Sequence, residues 1–308
     1  MAPAARSGVV FAIFGPTGVG KTAVAIGLAD RLRGRGGEPI AVSADALQVY
    51  RGIETLTGAA TREEQERLEH RLISCVAVSE EFSVGRFAEL AHEEIDSALA
   101  RESTPIVVGG TGLYLRAALT DLELRPPPPP ELRARIAGEM EQLGPALMHR
   151  RLADLDPQAA ETVDPADSSR IVRRLELIEM GEDPDPPGEE LWTPTVRRPT
   201  VLAGLIMERD QLYEAIDRRV EHMVAAGAEA EVRAAEAAGA SVTASKALGY
   251  RELLAGDVDG MKARTRQYAK RQLTWMRKLA GLTPIDVTGR SPADVAAEIA
   301  GLEPVSSR

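Results

Sequence analysis

Residues Gly15-Pro16-Thr17-Gly18-Val19-Gly20-Lys21-Thr22 match the pattern G-x-x-x-x-G-K-[ST] in full. The chemistry they offer is anion binding. Glycines let successive backbone N–H groups converge on phosphate oxygens, and the helix that must follow adds partial positive charge at its N-terminus. Lys21 supplies a full charge, and the Thr22 hydroxyl is the group that holds Mg²⁺ beside phosphates in such loops. The pattern specifies phosphates. It does not specify a nucleotide.

Phosphate-loop NTPases hold Mg²⁺ with a second acid at the end of a later strand. The candidate strand here is "TPIVVGG", and it ends in Gly109-Gly110-Thr111-Gly112, with no Asp or Glu. A second glycine-rich loop stands where that acid belongs. The pairing suggests a diphosphate held by one metal and by positive groups, without triphosphate machinery.

Asp45 closes the run "AVSAD". In an open parallel sheet ligands bind at this edge, where a carboxylate can accept a proton from a nucleophile or orient it. A helix cap or a satisfied turn aspartate would occupy the same place. Gln48, three residues on, carries the donor and acceptor that pair with an adenine edge. Far along the chain, "KARTRQYAKRQLTWMRK" (262–278) holds seven basic residues and no acid. Lys270 and Arg271 lie in two neighbouring helical rows, with Tyr268 and Trp275 interleaved. Such a strip can grip an RNA backbone or a diphosphate. Arg170, Arg173 and Arg174, at i, i+3 and i+4, suggest a second basic face.

These groups need a scaffold, and the chain predicts one. "GVVFAIF", "EPIAVSAD", "TPIVVGG" and "PTVLAGLIM" read as buried strands. "KTAVAIGLADRLR" reads as a helix, as does the segment starting near Ser83. Strands alternating with helices imply an α/β fold with a parallel sheet covered on both faces. Residues 131–180 read as purely helical, and a long helical tail follows from about 210. Proline-rich breaks, "LELRPPPPPELRARI" and "DPDPPGEELWTP", flank the helical stretch. The organisation expected is a core of 1–124 and 199–308 with an insertion of 125–198.

The bulk numbers fit one such protein. The chain has 308 residues, 44% apolar and 27% charged, with a net charge of −10. That balance argues against nucleic acid only on average, since a local basic face suffices. Cys75 is the one cysteine, which excludes an internal disulfide and suits a reducing compartment. It reads as a small core residue. The four histidines show no metal-ligand spacing, and His70 reads as packing or a turn hydrogen bond. No apolar run approaches the ~20 residues of a membrane helix.

Taken in order, "GPTGVGKT", "SADALQVYRG", "FSVGRFAELA", "PIVVGGTGLYLRAAL", "DSSRIVRRLE", "LYEAIDRRVEHM", "KALGYRE" and "TRQYAKRQLTWMRK" carry a resemblance over most of the chain. From about residue 9 to 280 it resembles the bacterial tRNA dimethylallyltransferases, the IPP transferase family. The resemblance implies a phosphate-loop NTPase-like core and transfer of a dimethylallyl group from dimethylallyl diphosphate to the exocyclic amine of the adenosine 3′ to the anticodon. It implies Mg²⁺, no ATP, and a cytoplasmic monomer with tRNA and the diphosphate as partners and no membrane. Asp45 would be the general base or orienting acceptor. Thr17, Lys21, Thr22 and Arg219 would stabilise the departing diphosphate. By the same resemblance Asp45, Ala46, Leu47 and Gln48 read the target base, and Thr111 and Arg133 are single contacts. Ser169, Arg170, Ile171, Val172 and Arg173 form one further stretch, and Lys246, Gly249, Tyr250 and Arg251 another. Lys270 and Arg271 belong to the basic strip.

Some positions depart from the family's usual residues. Ala46 replaces a serine, and "IETLTGAATRE" replaces a stretch that carries a lysine. Asp164 and Ala166 stand for His and Asn, and Ala215 for an arginine. Two other activities fit a phosphate loop: a small-molecule kinase, with Asp45 as base, and prenyl transfer to free adenine nucleotides. A non-catalytic RNA-binding protein is a third class, and the intact Thr17, Lys21, Thr22, Asp45 and Arg219 set argues against it.

Overall fold

Val10–Phe14 (β1) is buried at every position and alternates its side chains between two hydrophobic clusters. Val10, Ala12 and Phe14 face one, and Phe11 and Ile13 the other. This is the mark of a central strand covered on both faces. The computed structural model describes residues 8–184 and 193–306. After β1 come α1 (Lys21–Arg33), β2 (Glu38–Ser43), β3 (Tyr50–Arg51), α2 (Glu54–Thr57) and α3 (Arg62–Arg67). Then follow β4 (His70–Arg71), β5 (Val76–Ala77), α4 (Val84–Ala100), β6 (Ser103–Gly109) and α5 (Gly112–Leu119). The helices α6 (Pro130–Leu155), α7 (Pro157–Glu161) and α8 (Ser168–Glu179) come next. The remainder is β7 (Thr200–Ile206), α9 (Arg209–Ala225), α10 (Ala228–Ala237), α11 (Tyr250–Leu254), α12 (Val258–Met276), β8 (Thr283–Asp286) and α13 (Pro292–Ile299).

The main sheet runs β4-β2-β6-β1-β7-β8, and every pairing is parallel. Because β6 lies between β2 and β1, the loop after β6 stands between those that follow the other two. Phe14 is in register with Gly109, so the phosphate loop and the second glycine loop leave the sheet side by side.

The chain divides into two compact units, Met1–Leu122 with Leu191–Arg308, and Glu123–Glu190. The second break therefore comes earlier than residue 198. Arg197 and Arg198 belong with the first unit because Asp96 accepts from both and Asp121 from Arg197. Most of the second proline-rich break lies outside the described residues. In the other unit α6, α7 and α8 close on Ile136, Met148, Leu152, Ile171 and Leu175. The stretch is not one helical run: Gly144 at φ 76, followed by Pro145, breaks α6. Arg135 and Arg151 each pair with both Glu139 and Glu179, lacing α6 to α8.

The tail is not wholly helical either. Thr283–Asp286 pairs with β7, and α13 packs on α1 at Gly27, where a Cβ would meet the Pro292 carbonyl oxygen at 3.2 Å. Only Ile285 of β8 is buried, so this edge strand carries too few apolar residues to announce itself. Cys75 is exposed and not part of the core. Its neighbour Val76 is buried, and side chains in an extended segment alternate, which turns Cys75 outward.

Candidate functional site

The phosphate loop ends in Gly20, whose φ of 91° lies in the left-handed region open to glycine. No side chain caps α1, so its first-turn amides take no side-chain partner at the cap. Thr17, Gly18, Gly20, Lys21 and Thr22 line a cavity of about 470 Å³. Gly15, Pro16 and Val19 build the turn behind them: Lys21 Nζ donates to the carbonyls of Gly15 and Pro16, both at 2.9 Å. Burial and the nearby Arg219 guanidinium push the Lys21 ammonium down to about 7, against the opposing pull of Asp45.

Asp45, Ala46, Leu47 and Gln48 form the next wall. Asp45 Oδ1 accepts from the Leu47 amide at 3.0 Å, which fixes the carboxylate at the end of β2. The Gln48 amide is engaged at both ends. Its oxygen accepts from Ser43 at 2.9 Å and its nitrogen donates to the Gly58 carbonyl at 3.1 Å. In this structure Gln48 ties the 57–58 turn to β2 and does not present a free edge. Arg219, from α9, donates to the same Gly58 carbonyl at 3.4 Å, and its buried Nε has no partner. Burial lowers its pKa, while Asp45 opposes that shift. Glu231 accepts from the amides of Thr55 and Leu56, each at 3.0 Å, and so anchors the turn from α10.

Above these groups the second glycine loop and α12 meet. Thr111 Oγ1 lies 3.3 Å from the Tyr268 hydroxyl. Burial first, and then the Asp45 charge, raise Tyr268 to about 12, so it is neutral at physiological pH. A Cβ on Gly109 would collide with the carbonyl oxygen of Ala44. Gly109→Ala is therefore expected to destabilise the core by about 3 kcal/mol, read as a lower denaturation midpoint in urea.

Several residues expected at an RNA surface are engaged inside the protein. Of the strip in α12, Arg266 is held by Asp217 through two bonds of 3.0 and 2.9 Å, Lys262 by Glu221 and Arg264 by Glu252. The strip lacks acids of its own, but α9 and α11 bring them. Lys270 and Arg271 remain exposed, resting on the rings of Tyr213 and Tyr268. Tyr250 is buried and donates to Glu236 at 2.8 Å. Lys246 lines the cavity, Gly249 adopts φ 92° and Met261 fills the space a Cβ there would need, and Arg251 is exposed.

In the helical unit the expected basic face on α8 does not form. Arg174 is buried, and Arg173 reaches Glu176 and the carbonyls of Arg125 and Pro126. Arg133 also reaches the buried Glu176, at 3.4 Å. Ile171 is core and Val172 packs against it. Ser169 and Arg170 stay exposed at the start of α8. Asp164 accepts from the Ala166 amide at 2.8 Å, making a turn before α8.

Two cavity residues were not singled out for this role by sequence. Gln272 bridges the two loops, and its only signal was its place in the basic motif. His70 Nδ1 lies 2.6 Å from the Leu68 carbonyl, as a turn bond requires, yet the ring also lines the cavity. Burial lowers its pKa.

A phosphate loop and a facing carboxylate at the carboxyl edge of a parallel sheet define a phosphate-loop NTPase-like α/β protein. The chain belongs to the IPP transferase family, whose profile matches residues 48–279. It is 41% identical over 311 residues to a tRNA dimethylallyltransferase of Kineococcus radiotolerans, covering 96% of each chain. It is 41% identical to the enzyme of that name in Streptomyces griseus, covering 90% of each. A full-length tRNA isopentenylpyrophosphate transferase from Bacillus halodurans superposes with a TM-score of 0.67 at 34% identity over 96% of each chain. A eukaryotic dimethylallyltransferase, solved acting on tRNA, gives 0.70 at 27% identity, covering 92% of this chain and 74% of the other.

Proposed function

We propose that this chain transfers a dimethylallyl group from dimethylallyl diphosphate to the exocyclic amine of the adenosine 3′ to the anticodon in tRNA. The observation that carries the reading is one cavity holding a phosphate loop, Lys21, Arg219 and Asp45, beside a strand end without an acid. The amine nitrogen bonds to the first carbon of the allyl group as the carbon–oxygen bond to diphosphate breaks. The amine proton passes to the Asp45 carboxylate or to water that it orients. Charge grows on the leaving diphosphate, where the loop amides, Lys21 and Arg219 stand ready to stabilise it. An aromatic amine is a poor nucleophile, so positioning and leaving-group stabilisation supply most of the rate.

No group of three or more His, Cys, Asp or Glu among the described residues could hold a metal. Mg²⁺ takes one or two protein oxygens and completes its shell with phosphates and water, so Thr22 with the donor's diphosphate fits it. Bound there, it would neutralise part of the diphosphate charge. For tRNA, Thr111, Lys246 and Arg271 at the cavity, with Lys270 beside them, are the contacts we favour. Ser169 and Arg170 add a contact from the helical unit. The flipped base must recover the few kcal/mol, roughly, that unstacking costs. The reading places the chain in the cytoplasm, with its RNA, as a monomer.

Incubation with labelled dimethylallyl diphosphate and unmodified tRNA, followed by mapping of the labelled nucleotide, tests this directly. Label at the adenosine 3′ to the anticodon is expected. Unlabelled tRNA together with rapid ATP turnover would establish the kinase reading instead. Replacing Lys270 and Arg271 together by alanine should weaken tRNA binding and lower the slope of log affinity against log salt by about 1–2. Replacing Arg266 should leave that slope unchanged, because Asp217 already neutralises it.

A further inference from the structure

Gln272, on α12, is 4% exposed and joins two loops at once. Its Oε1 accepts from the Thr17 amide at 2.8 Å, inside the phosphate loop. Its Nε2 donates to the Gly110 carbonyl at 2.8 Å, inside the second glycine loop. Two neighbours on the same helical face reinforce the seam. Tyr268, one turn before, meets the Thr111 hydroxyl at 3.3 Å, and Trp275, one turn after, fills the space over Gly112. Tyr268, Gln272 and Trp275, at i, i+4 and i+7 of α12, thus engage Thr111, Gly110 and Gly112 respectively. The fit is close: a Cβ on Gly110 would strike the Gln272 amide and approach the Gly15 carbonyl oxygen to 3.1 Å.

We propose that Gln272 is a positioning residue for the anion pocket, resting on the reading above in which this loop holds the donor's diphosphate. It takes the Thr17 amide, so the loop enters its turn at a fixed angle, and past Val19, whose amide turns back to the Pro16 carbonyl, the residues Gly20 to Thr22 line the cavity. Lys21 braces the loop from the other side through Gly15 and Pro16. The pocket is thereby shaped before an anion arrives, and binding does not have to order it. Only a neutral group with both an acceptor and a donor does this. It must accept at one end and donate at the other, and a carboxylate would face the Gly110 carbonyl and repel the anion. Methionine keeps the shape but leaves a buried N–H and a buried C=O without partners.

The test is calorimetric titration of the full chain with inorganic diphosphate, alongside tRNA binding without donor. Gln272→Met should bind diphosphate about tenfold more weakly while tRNA affinity stays within about twofold. Gln272→Glu adds a readout that a space-filling role would not move. Above the pKa of the new carboxyl, its diphosphate affinity should fall below that of Gln272→Met. As pH drops and the buried acid protonates, it again accepts from Thr17 and donates to Gly110, so the ratio to the parent at the same pH should return toward one. If Gln272→Met does not fold, the Gln272→Glu titration decides alone. Parent-like affinity in Gln272→Met, or a pH-independent ratio in Gln272→Glu, overturns the inference. A parent that ignores diphosphate overturns both it and the donor reading. A parent that binds diphosphate in a Gln272-dependent way but modifies no tRNA supports the inference and overturns only the function.

Discussion

Asp45→Asn lowers the rate of prenyl transfer by at least about a hundredfold, the usual loss when a positioned general base is removed. Asparagine is the informative replacement because Asp45 already has a structural bond: its Oδ1 accepts from the Leu47 amide. An amide oxygen accepts that bond equally well, so the wall formed by Ala46, Leu47 and Gln48 stays in place. What disappears is the charge, and with it the capacity to take the amine's proton. tRNA affinity should remain near the parent value, because phosphate contacts elsewhere carry most of it. Single-turnover transfer with saturating tRNA, with filter binding in parallel, measures both. A variant that turns over at the parent rate would leave Asp45 as a turn residue only.

The second large effect is at Lys21. Lys21→Met removes a full charge from the leaving group, and a loss of about 10²–10³ in kcat/KM is expected. Its pH dependence identifies the group. In the ligand-free site burial and Arg219 push Lys21 down to about 7, so above that pH the amine is neutral. An arriving diphosphate favours the charged form and raises the pKa. Binding above pH 7 therefore draws in a proton, and donor affinity falls as pH rises through that value. At about pH 8, titration in buffers of different ionisation enthalpy should report uptake of close to one proton for the parent. Lys21→Met should take up none. Equal uptake by both would place the titrating group elsewhere.

How far the sequence carried the reading differs between residues for physical reasons. The phosphate loop was legible because its chemistry is local: the glycines, Lys21 and Thr22 lie within eight positions, and the turn is set by their own backbone. The core strands were legible because each is a continuous apolar run. The β8 edge was not, since one buried residue, Ile285, leaves no pattern to read. The break in α6 was signalled by Gly144-Pro145 but overridden by helical periodicity on either side.

Charge was the least legible property. Seven cations without an acid between them describe residues 262–278 as a strip, and nothing in that strip reveals that Asp217, Glu221 and Glu252 close on three of them. The same holds for Arg133 of α6, which reaches Glu176 on α8. Ion pairs form between elements far apart in the chain, so only the packed structure assigns them. The sequence by itself determined the glycine-rich turn between β1 and α1, the parallel α/β core, the helical stretch between the proline-rich breaks and the family. The tertiary structure decided which cations remain free, how Gln48 and Gln272 are engaged, and that Asp45 and Arg219 share a cavity with Lys21. Those outcomes depend on distances between residues that lie on different elements, up to 255 positions apart for Gln272 and Thr17, and a linear pattern does not encode distance.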